Sequence, residues 1–236
     1  MNRLLLIVLL SIAFAPPAWA REWFVRQMDS SASDTADGSA DHPLRTINAA
    51  AQLAQPGDVV TVGAGIYHEW VSPARGGAPD KPILYRAVPE HQAIVRGTDV
   101  LDAQWKPLDG APGVFVAPLP QKSFIFANPF VRPPAPAKKK PSKVMKCNAL
   151  VFLNDQSLEQ VTTRDALLKT PDSWMSSDDA AQLLVHAKDN AAPAKGAIEI
   201  TTRDRIFAPH RRGLGYIDVE GFTFERCATR PGFPQL

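Results

Sequence analysis

Short runs of alternating apolar and polar residues, separated by glycine or proline, make up most of the chain beyond residue 20. Such alternation buries one face of a strand and exposes the other. One stretch has a helical period instead, because Ile47, Ala50, Ala51 and Ala54 lie at i, i+3, i+4 and i+7. This stretch predicts a short helix with Thr46 as its N-cap. The alternating runs predict strands over residues 22–27, 59–62, 66–71, 82–87 and 93–97.

A repeated segment indicates how these strands are arranged. Residues 60–67 and 217–224 share one plan: a strand, a bend containing glycine, and a second strand with alternate apolar side chains. One early helix followed by strand after strand excludes a doubly wound α/β fold, which needs a helix between parallel strands. Strand–bend–strand units of this kind are typical of a β-solenoid, whose coils bury their core only by stacking.

Residues 98–196 have a different pattern and predict an inserted β-rich subdomain. Its predicted elements are β runs at 114–116, 149–153 and 182–187 and a helical stretch at 164–169. Within it, residues 133–143 (PPAPAKKKPSK) have the low-complexity composition of an extended, solvated loop. Solenoid-like strands return over residues 197–236, which predict a further, incomplete coil.

The first twenty residues have the pattern of a secretory signal peptide. Asn2 and Arg3 form a short basic start, residues 4–15 are apolar, and residues 18–20 (AWA) offer small residues where a signal peptidase cuts. The apolar run is too short for a permanent membrane anchor. We therefore expect cleavage after Ala20, a mature chain that begins at Arg21 without a membrane anchor, and a periplasmic or extracellular location.

Composition narrows the class of protein further. The chain has 236 residues, 45% of them hydrophobic and 21% charged, with a formal net charge of +2. These values indicate a soluble globular protein and give no electrostatic reason to expect nucleic acid as a partner. Cys147 and Cys227 are too few for a disulfide scaffold, and whether they pair or remain buried thiols stays open. The aspartate-rich loop 28–42 fits a solvated turn better than a calcium site, so we expect no metal ligands.

The N-terminal pattern resembles that of a known superfamily. Over residues 43–69 the chain has Pro43-Leu44-x-Thr46-Ile47, then Ala50 and Ala54, Pro56-Gly57-Asp58-x-Val60-x-Val62, Gly65-x-Tyr67 and Glu69. This stretch resembles the N-terminal cap and first coil of right-handed parallel β-helix proteins, the pectate-lyase-like carbohydrate-active enzymes. The resemblance implies an all-β fold with residues 21–97 forming the helical cap and first β-helix coils.

Within that superfamily the chain most resembles parallel β-helix β-xylosidase-type glycoside hydrolases. The similar segments cover nearly all of the mature chain: residues 67–73 (YHEWVSP), 81–87 (KPILYRA), 151–154 (VFLN), 158–161 (LEQV) and 216–222 (YIDVEGF). The resemblance implies a secreted enzyme that acts on a polysaccharide or oligosaccharide. It places the catalytic carboxylates on later coils, so we expect this chain to be an N-terminal portion, with no catalytic residue and no activity of its own.

Two residues are candidates for substrate contact, Glu69 and Trp70, which lie in the strand predicted over residues 66–71. A flat indole ring matches the apolar face of a sugar, although the residue type and position of Trp70 favour packing at the edge of a coil. The alternatives to a glycosidase are a polysaccharide lyase and a non-catalytic carbohydrate-binding or surface protein. No cofactor is expected, and Ca²⁺ enters only if the protein is a lyase.

Overall fold

A computed structural model describes residues 20–125, 127–133 and 145–228. Most of the predicted signal peptide (1–19), most of the Pro/Lys-rich loop (134–143) and residues 229–236 lie outside the described residues. Strands predominate in the described part and its helices are few and short, which confirms the prediction of an all-β fold.

The elements are numbered in chain order, and a 3₁₀ turn also lies at Gln121–Ser123. They are β1 (Glu22–Val25), α1 (Ile47–Leu53), β2 (Val59–Val62), β3 (Gly65–Tyr67), β4 (Ile83–Ala87), β5 (Ala93–Arg96), β6 (Thr98–Val100), β7 (Lys106–Pro107), β8 (Val114–Pro118), β9 (Val151–Leu153), β10 (Gln156–Ser157), β11 (Glu159–Gln160), α2 (Arg164–Lys169), β12 (Ser173–Ser176), β13 (Gln182–His186), β14 (Ile198–Thr201), β15 (Ile217–Glu220) and β16 (Thr223–Glu225).

Two of the sheets contain only parallel strand pairs. One has the order β1-β2-β4-β15 and the other the order β3-β5-β16. Each of the successive pairs β2/β3, β4/β5 and β15/β16 contributes one strand to each sheet, so the chain forms three stacked layers. The repeated segments 60–67 and 217–224 supply the first and third of these layers.

The core of the layered part lies between the two parallel sheets and α1. Val60 and Tyr85 are register partners on β2 and β4, and both side chains are fully buried. Thr46 caps α1 by accepting a hydrogen bond from Ala49 N, as predicted, and the helix packs Ile47 into the same core. Helical periodicity therefore identified both the helix and its buried face.

The described residues between 98 and 201 form two further sheets whose strands are mostly antiparallel. Their orders are β10-β9-β14-β6 and β11-β12-β13-β8-β7. Their buried residues form two hydrophobic clusters separate from the first core. The larger cluster contains Trp174, which meets Phe130 edge to face at 5.5 Å between ring centroids. The chain leaves the layers directly after β5 and returns to them after β14.

The two parts meet at Gly97, between β5 and β6. The Gly97 carbonyl accepts hydrogen bonds from the backbone N–H groups of Thr202 and Arg203 at 2.9 and 3.1 Å. A side chain here would place its Cβ 2.7 Å from the Cα of Cys227, so the close packing of three segments requires glycine at this position.

The structure differs from the sequence prediction at several elements, and the short strands β6, β7, β10 and β11 lie outside every predicted run. The strand predicted over residues 66–71 ends at Tyr67, and of the following residues Val71 alone forms a bridge, to Phe207. Strand β12 was not predicted, because Ser173 and Ser176 are polar and break the apolar pattern, although most residues of the strand are buried. Among the described residues, none of the helices has the length and apolar character that a membrane crossing requires.

Candidate functional site

The residues that follow β3 lie beside the residues that follow β14. Val71 N donates to Ile206 O at 2.8 Å, and Ala208 N donates to Val71 O at 3.0 Å, as in a parallel pair. This pairing brings polar and aromatic side chains from both segments to one surface. We name it the aromatic–basic strip, and it consists of His68, Trp70, Arg203, Arg205 and His210.

Trp70 is held at the centre of this strip. Its indole Nε1 donates to Ala208 O at 2.8 Å. The ring lies 4.2 Å from the His210 ring between centroids, tilted by 59°, and the Arg205 guanidinium carbon lies 5.7 Å from the ring centroid. The side chain is partly exposed. Trp70 thus has both a packing role between two segments and a surface that a ligand could contact.

His68 and Arg203 converge on one backbone carbonyl. Thr98 O lies 2.6 Å from His68 Nδ1 and accepts a hydrogen bond from the Arg203 guanidinium at 3.2 Å. A carbonyl oxygen can only accept, so Nδ1 carries a proton and donates it to Thr98 O. Arg203 is also paired with Asp99 at 2.9 Å, while its buried Nε has no hydrogen-bond partner in the described part of the chain.

Glu69 binds the N-terminus of α1 and stabilises this helix. Its carboxylate accepts hydrogen bonds from Ile47 N at 2.9 Å and Asn48 N at 2.7 Å, the first two residues of the helix. Burial raises the pKa of Glu69 to about 7, and these two backbone hydrogen bonds counteract part of the rise. Both carboxylate oxygens are occupied, so Glu69 positions the helix relative to the strip.

The strand arginines that a lyase could use as a base are all engaged with carboxylates. Arg86 pairs with Glu220 at 2.6 Å, and Arg96 pairs with Glu225 at 2.6 Å. Burial lowers the pKa of Arg96, but its hydrogen bond to Glu225 and the nearby carboxylates outweigh burial and raise it above its usual range. An arginine in this state keeps its proton, which weighs against a role as a base.

Arg96 belongs to a network of ion pairs among five residues, which the sequence did not indicate. Arg96 also contacts Glu199 at 2.8 Å and Asp155 at 3.1 Å, and Arg226 contacts Glu199 at 2.9 Å and Asp155 at 2.8 Å. Asp155 and Glu199 belong to the antiparallel part, whereas Arg96, Glu225 and Arg226 belong to the layers. The network therefore ties the two parts together beside the third layer.

Other groups considered from the sequence are occupied locally. In the aspartate-rich loop, Asp29 accepts from Ser31 N and Asp37 accepts from Ser39 N, the contacts of ordinary turns. Within the described ranges, no three His, Cys, Asp or Glu side chains are placed to share a metal ion. Cys147 is buried and Cys227 is partly buried, and both are free thiols.

Of the residues proposed from the sequence, Trp70 lies on the strip, whereas the Glu69 carboxylate binds the N-terminus of α1. His68, Arg205 and His210 were missed as surface neighbours of Trp70. The signal that could have indicated them is the basic run His210-Arg211-Arg212, but its proximity to Trp70 depends on a contact 138 residues apart in sequence.

Comparison with known proteins gives a fold match and no family. No family model matches the chain. The structure is similar to that of XylC, solved as a complex with xylose, with a TM-score of 0.73 and 26% identity over 88% of this chain and 36% of that one. A second solved structure, described as a glycoside hydrolase, matches with a TM-score of 0.55 and 14% identity over 89% of this chain and 51% of that one.

One curated protein is also similar, the uncharacterised protein YwoF of Bacillus subtilis strain 168. It is 30% identical over 74 residues, which is 31% of this chain and 16% of that protein. The chain thus spans about a third of the length of XylC and a smaller share of YwoF. The matched solved structures are carbohydrate-active proteins, one holding xylose and the other a glycoside hydrolase.

Proposed function

We propose that this chain forms the first layers of a secreted right-handed parallel β-helix enzyme that degrades glycans, a glycoside hydrolase of the β-xylosidase type. The observation that carries the proposal is the likeness to xylose-bound XylC over 88% of the chain. The three stacked parallel layers support the β-helix assignment, because each coil of such a fold adds one strand to each sheet.

The third layer supports the presence of further coils. In the second layer the inward residues Tyr85 and Val95 are fully buried, whereas their register partners in the third layer, Val219 and Phe224, are 39% and 42% exposed. The outer edges of β15 and β16 have no neighbouring strand in the described part of the chain. Exposed apolar side chains beside two free strand edges are the surface on which another coil stacks.

The catalytic carboxylates belong on those further coils. A retaining glycosidase needs two carboxyl groups about 5–5.5 Å apart, one of them free to act as a nucleophile. Here Glu220 and Glu225 are held by arginines and Glu69 is held by two backbone N–H groups. These three glutamates thus have structural partners, and residues 21–236 alone are expected to be inactive.

The aromatic–basic strip is the surface we assign to substrate contact. Trp70 supplies a partly exposed aromatic ring beside guanidinium and imidazole groups, a combination that suits a sugar with its apolar face and its hydroxyl groups. Glu69 contributes indirectly, because it fixes α1 against the segment that carries Trp70.

The same proposal assigns the chain's segments. Residues 1–20 are a signal peptide cleaved after Ala20, and residues 21–97 are the cap and first coils. Residues 98–196 are the inserted subdomain, which has its own hydrophobic core, and residues 197–236 return to the coils. The protein is accordingly periplasmic or extracellular.

The test compares the natural secreted product with residues 21–236 on 4-nitrophenyl β-xyloside and on xylo-oligosaccharides. We expect the natural product to release xylose and the shorter chain to bind xylo-oligosaccharides without turnover. In calorimetric titration, Trp70→Ala should weaken binding about five- to tenfold, the value of one lost aromatic contact. The matched control is Trp105→Ala, a partly buried tryptophan packed on the other core.

Three results would replace the proposal. Clear turnover by residues 21–236 would show that the active site lies in this chain. Unsaturated products from uronate polymers, without xyloside hydrolysis, would indicate a lyase. Binding without any turnover by the natural product would indicate a carbohydrate-binding protein.

A further inference from the structure

Asp58 is a buried carboxylate at the junction of three segments. Its side chain is almost inaccessible, with 3% of the residue exposed. Oδ2 accepts hydrogen bonds from the Trp23 indole Nε1 at 2.9 Å and from Gln55 N at 2.8 Å, and Oδ1 accepts from Arg21 N at 2.8 Å. These donors fasten the start of β1 to the turn between α1 and β2.

These contacts do not balance the charge of the carboxylate. Indole and amide N–H groups are neutral donors, and within the described residues Asp58 forms no ion pair. The Arg21 guanidinium lies instead over the Trp23 ring, 3.8 Å from its centroid, and donates to Asp37 O. A buried carboxylate without a cation is unfavourable, and adding a cation in direct contact relieves the cost.

The nitrogen nearest to Oδ1 is the one that signal-peptide cleavage would change. Hydrolysis of the Ala20–Arg21 bond by a signal peptidase adds hydroxyl from water to the Ala20 carbonyl carbon and hydrogen to the Arg21 nitrogen. The released amine takes up a proton near neutral pH. Ala20 is exposed, while β1 pairs with β2 from Glu22 onward and Arg21 O accepts from Val59 N at 2.9 Å. In the folded chain, backbone pairing with Val59 therefore holds Arg21 with its nitrogen beside Asp58.

We propose that signal-peptide removal creates an α-ammonium group at Arg21 that forms a buried ion pair with Asp58, so that maturation itself completes the N-terminal fold. The site is distinct from the aromatic–basic strip and does not depend on which glycan the protein uses. In the uncleaved chain the same nitrogen is a neutral amide and gives only a hydrogen bond.

This ion pair has a defined pH dependence. The unfolded α-amino group titrates at about 7.7–8.0, and pairing with Asp58 raises that value in the folded state. The stabilisation is therefore fully present below about pH 7.7 and is lost as the pH rises through the folded value. Other charged groups near this junction are the Arg21 guanidinium, Asp37, His42 and Lys81. They remain the same whichever residue begins the chain.

The experiment compares a chain that begins at Arg21 with one that begins at Ala20, both released from a fusion by a protease that leaves no extra residue. The Ala20 form retains every side chain but has an amide at Arg21. We expect the unfolding constant of the Arg21 form to be at least tenfold smaller at pH 7, equivalent to about 1.4 kcal/mol. The difference should disappear by pH 10.

Asp58→Asn, made in both forms, should abolish the difference at pH 7. Should the Asn variants fail to fold, the pH dependence of the two wild-type forms decides the question by itself. Equal stability of these forms from pH 6 to pH 10 would overturn the proposal. So would a natural product whose N-terminal residue is not Arg21. Neither readout involves a glycan, so failure here is distinguishable from failure of the proposed enzymatic function.

Discussion

Two arginines at matching places in the parallel sheets test how burial sets the strength of an ion pair. Arg86 is the register partner of Glu220, and Arg96 is the register partner of Glu225; each Nε lies 2.6 Å from a carboxylate oxygen. The pairs differ in environment, because the Arg86 side chain is 47% exposed and the Arg96 side chain is 7% exposed. Methionine has a similar length without charge, so Arg86→Met and Arg96→Met are matched perturbations.

The structure sets the expected magnitudes. An exposed pair such as Arg86–Glu220 contributes about 0–1 kcal/mol. Removing one partner of a buried pair costs roughly 3–5 kcal/mol, because a buried charge is left uncompensated. Glu199 would still be paired with Arg226 at 2.9 Å, and Glu225 retains contact with solvent, so the cost is reduced. We expect Arg96→Met to lower the free energy of unfolding by about 2–4 kcal/mol and Arg86→Met by less than about 1 kcal/mol.

Urea denaturation of residues 21–236 measures both values, with the midpoint and the m-value fitted separately. Sodium chloride at about 1 M should remove the effect of Arg86→Met and preserve most of that of Arg96→Met, because salt screens exposed pairs more strongly. Losses that agree within about 0.5 kcal/mol for the two variants would refute the argument that burial controls these pairs.

Three further predictions concern the free energy of unfolding, measured by urea denaturation. Tyr85→Phe should change the free energy of unfolding by less than about 0.5 kcal/mol, because the buried Tyr85 hydroxyl has no partner among the described residues. Tyr67→Phe should lower the free energy of unfolding by about 1 kcal/mol, because the Tyr67 hydroxyl donates to the Gly63 carbonyl at 2.9 Å. Equal losses would contradict this. Glu69 has a folded pKa of about 7, above the ordinary value of 4.5, so wild-type stability relative to Glu69→Gln should fall as the pH rises from 4.5 to 7, by on the order of 2 kcal/mol. If the free energies of unfolding of wild type and Glu69→Gln change with pH in the same way, the ionised Glu69 carboxylate does not destabilise the fold. Gly97→Ala should lose more than about 2 kcal/mol, because its Cβ would meet backbone at 2.7 Å, and Gly215→Ala, with open space around it, should be nearly neutral. A tolerated Gly97→Ala would show that the junction can relax.

The parts of the fold that could be predicted from the sequence are those whose burial follows a local period of apolar residues. Thr46 followed by a 3.6-residue period identified α1, and alternation identified the repeated segments that supply the first and third layers. Strand β12 was not predicted because two of its buried residues are serines. Their hydroxyls donate hydrogen bonds to the carbonyls of Thr170 and Phe130, which allows these polar side chains to be buried. Their burial comes from partners that periodicity does not reveal.

The candidate site was only partly predictable for a related reason. Trp70 could be selected from its type and position, but its partner Ala208 lies 138 residues away. His68 meets Thr98 across 30 residues, and Arg96 meets Glu199 across 103. These contacts arise because the inserted part returns the chain to the layers at a particular place. A single sequence contains no period that encodes such a return.

The most direct test of the account is the intact mass of the natural protein, measured together with its N-terminal residue. The account predicts a product that begins at Arg21 and is much larger than residues 21–236, because further coils cover Val219 and Phe224 and carry the catalytic carboxylates. A product whose mass matches residues 21–236 would contradict the central claim that this chain forms the first layers of a longer glycan-degrading enzyme.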